Sequence, residues 1–529
     1  MAEKKRAREN WSGRLGVILA VAGSAVGLGN YLRFPGKAAA YGGGAFLIPY
    51  FVALLLVGIP IAWVEWTLGR YGGIHGYNSS SGIFSAVWKS KRARYIGVIA
   101  LLIPVVVYMY YIYIEAWCMA YAVYYLTGAM PLDPALGADR YGNFFNGFVG
   151  ALKDGVVLER GHIGVVGWLV AVSIANFWIV YRGITRGIET FVKWAMPLLI
   201  VISMVILARV LTLGTPDPAL PGQNVWNGLG YMWNPKATLA GGTMWSALWD
   251  PQVWLEAAGQ IFFTLSVGFG IILCYASYLK KNDDVALSGL TACGTNELCE
   301  VVFGGLITLP AAFIFLGAAP LANVLGSTLG LGFHVFPRIF EHMPAGAFFG
   351  FLWFFLLFIA AITSSISMLQ PVLAFLEQDC GLSRKRGMAI LAGLTALGNL
   401  IVIYFSKNLV ALDTMDFWVG SVLIYILATI LVITFGWVFP LDKGMKEADR
   451  GADFRIPRIF GFIIKYVSPV YLLVVFIAWM WKSLPGYAAS LSSSPAAMVT
   501  LAFIGLVALL FAGLIRKGSL RHAGKLPPL

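Results

Sequence analysis

The chain has 529 residues, 59% hydrophobic and only 12% charged, about half the ~25% charged content of ordinary soluble proteins. That excludes a water-soluble globule and a disordered chain. The formal net charge of +13 would suit a nucleic-acid partner only if the basic residues formed one patch. They are instead spread over every second junction between apolar runs, so no nucleic-acid partner is expected.

About twelve apolar runs recur, near residues 15–40, 45–69, 96–127, 163–181, 189–213, 251–279, 286–316, 347–376, 387–406, 416–440, 459–481 and 496–515. Each is long enough to cross a bilayer as a helix. They are continuous rather than alternating, which argues against a strand barrel. The prediction is an all-α polytopic membrane protein with about twelve transmembrane helices, as one transmembrane domain over residues 1–529. The basic junctions hold Lys4, Lys5, Arg6, Arg8 and Arg14; Lys89, Lys91, Arg92 and Arg94; Arg182 and Arg186; Lys280 and Lys281; Arg384, Lys385 and Arg386; Lys443, Lys446, Arg450, Arg455 and Arg458; and Arg516, Lys517, Arg521 and Lys525. That positive-inside pattern places both termini in the cytoplasm of a cell-membrane protein. The first run is read as a retained helix rather than a cleaved signal.

Taken in order, the first run contains Gly23-Ser24-Ala25-Val26-Gly27-Leu28-Gly29-Asn30-Tyr31-Leu32-Arg33-Phe34-Pro35. Glycines favour a break. A helix broken inside lipid leaves N–H and C=O groups unpaired, at several kcal/mol per group, unless a ligand or ion satisfies them. The competing reading is a small-residue helix-packing surface. The second run carries Glu65, either an acceptor for backbone freed at a break or an end-of-helix residue. The third places Val107 and Tyr111 on one face, four residues apart, with Glu115 beyond. Its tyrosines 108, 110 and 113 read as a packing face. Polar loops near residues 128–162 and 214–250 show no motif.

The sixth run repeats the opening device: Gln260-Ile261-Phe262-Phe263-Thr264-Leu265-Ser266-Val267-Gly268-Phe269-Gly270. Interrupted helices opening two blocks of about five point to an inverted-repeat transporter whose site lies between the breaks. The blocks are expected near residues 12–213 and 246–440, with helices 11 and 12 near 457–516. The seventh run adds Asn296, Glu297 and Glu300. The eighth adds Thr363, Ser364 and Ser365, hydroxyl oxygens suited to a small hard cation or to back-bonding along their own helix. The tenth begins Asp413-Thr414-Met415-Asp416-Phe417-Trp418. The cysteines (118, 274, 293, 299, 380) show no metal spacing or disulfide framework. No nucleophile–base pair or metal triad suggests an enzyme.

These motifs resemble the neurotransmitter:sodium symporters, in particular their bacterial leucine-transporter branch. The likeness rests on the two interrupted helices, Thr363-Ser364-Ser365-Ile366 and Met415-Asp416-Phe417-Trp418. It implies two sodium sites. Ala25, Asn30, Thr264 and Asn296 would hold the first Na⁺, completed by a substrate carboxylate. Gly23, Val26, Ala360, Thr363 and Ser364 would hold the second. The substrate would be a neutral, mostly hydrophobic, aliphatic L-amino acid. Its carboxylate would lie on Leu28, Gly29 and Tyr111, and its ammonium on Ala25, Phe263, Thr264 and Ser266. Ser24, Gly27, Val107, Tyr111, Phe263, Phe269, Ser364 and Met368 would complete the pocket. Arg33 and Asp416 would form the outer gate, with Phe263 and Tyr111 as a lid, and Arg8 and Trp11 the inner gate. Glu300 would substitute for chloride, so no chloride requirement is expected. Two departures stand out: Ser24 where relatives often have Asn, and Gln378, flanked by Glu377 and Asp379, where an acidic partner for Arg8 is expected. Sodium, the amino acid and membrane lipid are the expected partners; a homodimer is left open. The rival reading is a proton-coupled or exchange amino-acid permease of the same architecture.

Overall fold

A computed structural model of the chain describes residues 9–88, 90, 92–130, 139–159, 163–325 and 327–522. Arg8 lies outside the described residues. The chain enters α1 at Arg14–Ala25, breaks, and resumes at Gly29–Ala40, bent by 50°. There follow α2 (Gly44–Ile74), α3 (Ala93–Thr127), α4 (Gly164–Tyr181) and α5 (Ile184–Leu211). Helix α6 is itself in two pieces, Pro251–Leu265 and Ile271–Ala276. Then come α7 (Ala286–Leu316), α8 (Gly346–Gln378), α9 (Arg384–Tyr404), α10 (Lys407–Val438), α11 (Arg458–Ser493) and α12 (Pro495–Gly518).

Among the described residues, ten helices are long and apolar enough to cross a membrane, or eleven counting the bent pair. The interrupted α6 stands where the sequence expects the remaining span. Trp178, Trp194, Val470, Ile477 and Leu509 are exposed on the outer faces of these helices. Apolar side chains turned outward along whole helices suit lipid, not water. The protein is an all-α polytopic membrane protein.

Helices α3 and α8 run against each other along their length and form a central wall. The two broken helices lie against it. Proline does not stop these helices: α3 runs through Pro104, α8 through Pro371 and α11 through Pro485. For α11 this carries the helix past the segment end expected at 481. Both polar loops fold into short helices, among them Arg140–Phe148, Val225–Trp233 and Met244–Trp249. Asn224 and Thr243 cap the last two through their side-chain oxygens, each satisfying a free helix-start N–H.

In the loop between α5 and α6, Lys236 donates to the Tyr231 carbonyl at 2.7 Å and lies over the Tyr231 ring. Burial pulls its amine from 10.5 down to about 8. Between those values the unfolded chain holds more protons than the folded one, so stability rises with pH through that window. Thermal unfolding followed from about pH 7 to about pH 10 should show that rise, and Lys236→Met should abolish it.

Candidate transport site

The break in α1 falls at Val26–Leu28. Val26 turns to φ −70°, ψ 110°, and its N–H still donates to the Ala22 carbonyl. The break in α6 begins at Ser266, which takes a left-handed φ of 52°, and continues through Gly268 and Gly270, both at φ 78°. Left-handed backbone is cheap only for glycine, so the glycines read as break signals are the residues that make this turn. Glu65 is fully buried beside the Gly268 and Gly270 backbone, which removes the end-of-helix reading, but neither of its carboxylate oxygens closes a hydrogen bond there.

The two breaks meet. Ser266 Oγ donates to the Ser24 carbonyl at 2.9 Å. Asn30 Nδ2 donates to Thr264 Oγ1 at 3.0 Å, to Asn296 Oδ1 at 2.8 Å and to Glu300 Oε2 at 3.1 Å. Asn30 Oδ1 accepts from the Gly27 N–H at 2.8 Å, across the α1 break. Asn30, Thr264, Asn296 and Glu300 are all buried. Thr264 also hydrogen-bonds the Glu300 carboxylate, whose other oxygen accepts from Gln260 Nε2 at 2.8 Å. Side-chain oxygens from α6 and α7 thus surround one positively polarised group, the surroundings a small hard cation needs. Helix α7 is pressed close here: a Cβ on Gly304 would sit 2.0 Å from the Asn30 carbonyl oxygen.

A second oxygen group joins α1 to α8. Ser364 Oγ lies 3.3 Å from the Gly23 carbonyl, 3.3 Å from the Val26 carbonyl and 3.0 Å from the Ala360 carbonyl. Thr363 Oγ1 donates back to Ile359 and Ala360 at 3.0 and 3.1 Å. The hydroxyls back-bond along α8, the second of the two readings, and Ser364 also reaches the Gly23 and Val26 carbonyls at the α1 break.

Between the two groups, Ala25, Leu28, Val107, Tyr111, Ser266, Phe269, Ser364 and Met368 keep 3–7% of their surface at mid-span, while Val26, Asn30 and Ala360 keep none. A Cβ on Gly27 would meet the Tyr111 hydroxyl at 2.9 Å, and one on Gly29 the Phe263 ring at 2.7 Å. Tyr111 OH also reaches the Leu28 backbone and Ser364. Ser24, the first departure, is not idle: its hydroxyl pairs with Ser367 Oγ at 3.0 Å.

The expected gates are arranged differently at the two ends. Arg33 stacks on Phe263 with its guanidinium 4.4 Å from the ring centre. Asp416 accepts from Tyr110 OH at 2.6 Å. No ion pair joins Arg33 to Asp416. A cavity of about 50 Å³ lies beside them, lined by Arg33, Glu256, Phe262, Phe263 and Tyr425. At the opposite end Trp11 Nε1 donates to the Tyr275 carbonyl at 2.9 Å, and Arg14 pairs with Asp284 at 2.9 Å. Gln378, the second departure, accepts from the Asn78 and Ser79 N–H groups at 2.7 and 2.9 Å. Its neighbours are engaged too: Asp379 by Ser79 and Ser81, Glu377 by Arg384 at 3.4 Å.

Three residues here were not singled out from the sequence. Gln260 lies one turn before Thr264, and that spacing was a usable signal. Tyr110 sits among tyrosines read as packing. Tyr50, which donates to Glu297 at 2.8 Å, gives no local signal.

The model of the sodium:neurotransmitter symporter family matches residues 8–135 and 135–517. A sodium-dependent transporter of Methanocaldococcus jannaschii, itself uncharacterised, is 32% identical over 480 residues, 88% of this chain and 89% of its own. The sodium- and chloride-dependent GABA transporter 2 of Bos taurus is 27% identical over 403 residues, 70% of this chain and 62% of its own. Among solved structures, MhsT in complex with L-phenylalanine superposes with a TM-score of 0.74 at 30% identity, covering 89% of this chain and 99% of MhsT.

Proposed function

The chain belongs to the sodium:neurotransmitter symporter family, and from that premise we propose that it imports neutral, mostly hydrophobic L-amino acids together with Na⁺. The observation that carries the reading is the Asn30–Thr264–Asn296–Glu300 cluster, which ties both broken helices to α7. A Na⁺ held by Ala25, Asn30, Thr264 and Asn296 would touch the substrate carboxylate, so each ligand would strengthen the other. A second Na⁺ would sit with Gly23, Val26, Ala360, Thr363 and Ser364.

The substrate class follows from the lining. Ser24, Val107, Phe269 and Met368 offer no charge, and a charged side chain among them would lack a partner. That MhsT holds L-phenylalanine supports the same class. The carboxylate would lie on the Leu28 and Gly29 amides, at the start of a half-helix that favours anions, and on Tyr111. Glu300 supplies a negative charge in contact with the first cluster, so chloride would not be required. The first five spans would rock against the next five, opening alternately past Arg33 and Asp416 and past Trp11. The basic junctions support a cell-membrane protein with cytoplasmic termini.

Uptake of labelled leucine or phenylalanine into proteoliposomes should require an inward Na⁺ gradient. Uptake that persisted with K⁺ on both sides, and followed a pH gradient instead, would favour the proton-coupled permease. Tyr111→Phe removes one hydrogen bond to a charged carboxylate, worth about 1.5–3 kcal/mol. Amino-acid affinity in saturating Na⁺ should fall ~10–100-fold, read by equilibrium binding to the purified protein.

A further inference from the structure

Besides Glu65 and Glu300, another fully buried carboxylate, Glu115, stands apart from the two oxygen clusters proposed to hold sodium. Glu115 on α3, Asn176 on α4 and Ser365 on α8 each keep 0% of their surface. Asn176 Nδ2 donates to Glu115 Oε1 at 2.8 Å and to the Val172 carbonyl at 2.9 Å. The Val172 contact fixes which end of the amide carries hydrogen, because the reversed amide would set two oxygens against each other. Asn176 Oδ1 therefore faces Ser365 Oγ, 2.7 Å away, and Ser365 Oγ is also 2.5 Å from Glu115 Oε2.

Counting hydrogens decides the protonation. Ser365 has one hydroxyl hydrogen and three oxygen neighbours: Glu115 Oε2 at 2.5 Å, Asn176 Oδ1 at 2.7 Å and, at a longer 3.2 Å, the Ile362 carbonyl on its own helix, so that two short contacts compete for the hydrogen. Asn176 Oδ1 cannot donate. If Glu115 were ionised it could not donate either, and one of the two contacts would set lone pair against lone pair. With a proton on Oε2 both short contacts are satisfied, and the longer one to Ile362 is left as a weak third: Glu115 donates to Ser365, Ser365 to Asn176, and Asn176 back to Glu115. The surroundings agree. Among the described residues no cation is ion-paired with Glu115. Helix α4 has no charged residue over 164–181, and α8 has only Glu377, twelve residues beyond Ser365. The titratable neighbours on α3 itself are Tyr108, Tyr111 and Cys118. A lone buried carboxylate costs far more than its neutral acid.

The ring also sets the rotation of α8. Consecutive residues on a helix point ~100° apart, so holding Ser365 toward α3 and α4 turns Ser364 toward the Gly23 and Val26 carbonyls. We propose that Glu115 works as a permanently neutral carboxylic acid whose ring with Asn176 and Ser365 positions Ser364 for the second Na⁺. The positioning half rests on the sodium site proposed above; the protonation half does not.

Two measurements on the purified full-length transporter separate them. The infrared difference spectrum between the native protein and Glu115→Gln should contain the carbonyl band of a protonated carboxylic acid, unchanged from about pH 6 to about pH 9. A carboxylate band instead, or a band that titrates in that range, overturns the protonation. For the second, the Na⁺ concentration giving half-maximal amino-acid binding is compared across variants. Glu115→Gln keeps one donor and one acceptor and should stay within about twofold of the native value. Glu115→Leu and Ser365→Ala should raise it ~10-fold or more, as when support behind a metal ligand is lost. Equal damage by Glu115→Gln and Glu115→Leu would overturn the neutral-acid role. Ser364→Ala is the control. If it raises the Na⁺ requirement and Ser365→Ala does not, positioning is wrong. If Ser364→Ala changes nothing, the sodium-site reading fails while the infrared result still judges the protonation. Should Glu115→Leu not fold, Ser365→Ala and Glu115→Gln carry the test.

Discussion

Glu300→Ser should create a chloride requirement in a transporter proposed to work without one. Glu300 is fully buried and takes hydrogen bonds from Asn30, Thr264 and Gln260. In its ionised form it faces the cluster proposed to hold the first Na⁺. At ~5 Å and an effective dielectric of ~20, a unit charge pair is worth ~3 kcal/mol. Losing it would weaken Na⁺ binding ~100-fold and leave donors on Gln260 and Asn30 without their acceptor. Serine leaves room for a small anion in the vacated space, and chloride can take both the charge and the donors. Uptake driven by sodium gluconate should collapse in Glu300→Ser and recover in sodium chloride, while the native protein should not distinguish the two salts. Glu300→Gln keeps the bulk and lacks the charge, so chloride should rescue it less. A Glu300→Ser variant with native uptake in gluconate would remove the carboxylate from the coupling scheme.

Thr264→Ala should have the second large effect. The Thr264 hydroxyl is where α1, α6 and α7 touch: it meets Asn30 Nδ2 at 3.0 Å, Asn296 Nδ2 at 3.0 Å and the Glu300 carboxylate. Alanine removes one proposed Na⁺ ligand and unpairs buried polar partners at about 1–3 kcal/mol each. The Na⁺ concentration for half-maximal binding should rise ~30–100-fold. Because the same ion is proposed to touch the substrate carboxylate, amino-acid affinity at fixed, subsaturating Na⁺ should fall as well. Saturating Na⁺ should restore most of it. A variant that lost amino-acid affinity equally at all Na⁺ concentrations would mean that Thr264 serves the substrate alone.

The parts of this site that were legible in the sequence are those carried by chemistry out of place in lipid. Glycines at 27, 29, 268 and 270 inside apolar runs marked both breaks because helix-breaking backbone at that depth requires partners. Thr363 and Ser364 were legible for the same reason. What the sequence did not disclose depends on which helices touch. Glu115, Asn176 and Ser365 lie on three separate helices, 61 and 189 residues apart in the contacts that join Asn176 to Glu115 and to Ser365, and no local pattern joins them. Tyr110 looked like one more packing tyrosine until Asp416 came beside it, and Asp416 has Tyr110 rather than Arg33 as its partner. Gln378 stands where an acidic partner for Arg8 is expected, and no local pattern shows that it caps the turn after α2. Segment ends were the least legible. The sixth run is expected to reach residue 279 beyond its break, yet its second helical piece is only Ile271–Ala276, because residues 277–279 tighten into i→i−3 turns.

The account turns on Na⁺ and the amino acid filling one gap between two broken helices, each completing the other's shell. Its most direct test is equilibrium binding of a neutral amino acid to the purified transporter, with Na⁺ varied and K⁺ replacing it at constant ionic strength. The account predicts that affinity falls ~100-fold or more as Na⁺ is withdrawn, and that the amino acid tightens Na⁺ by the same factor. Equal amino-acid affinity in K⁺ and in Na⁺ would contradict it.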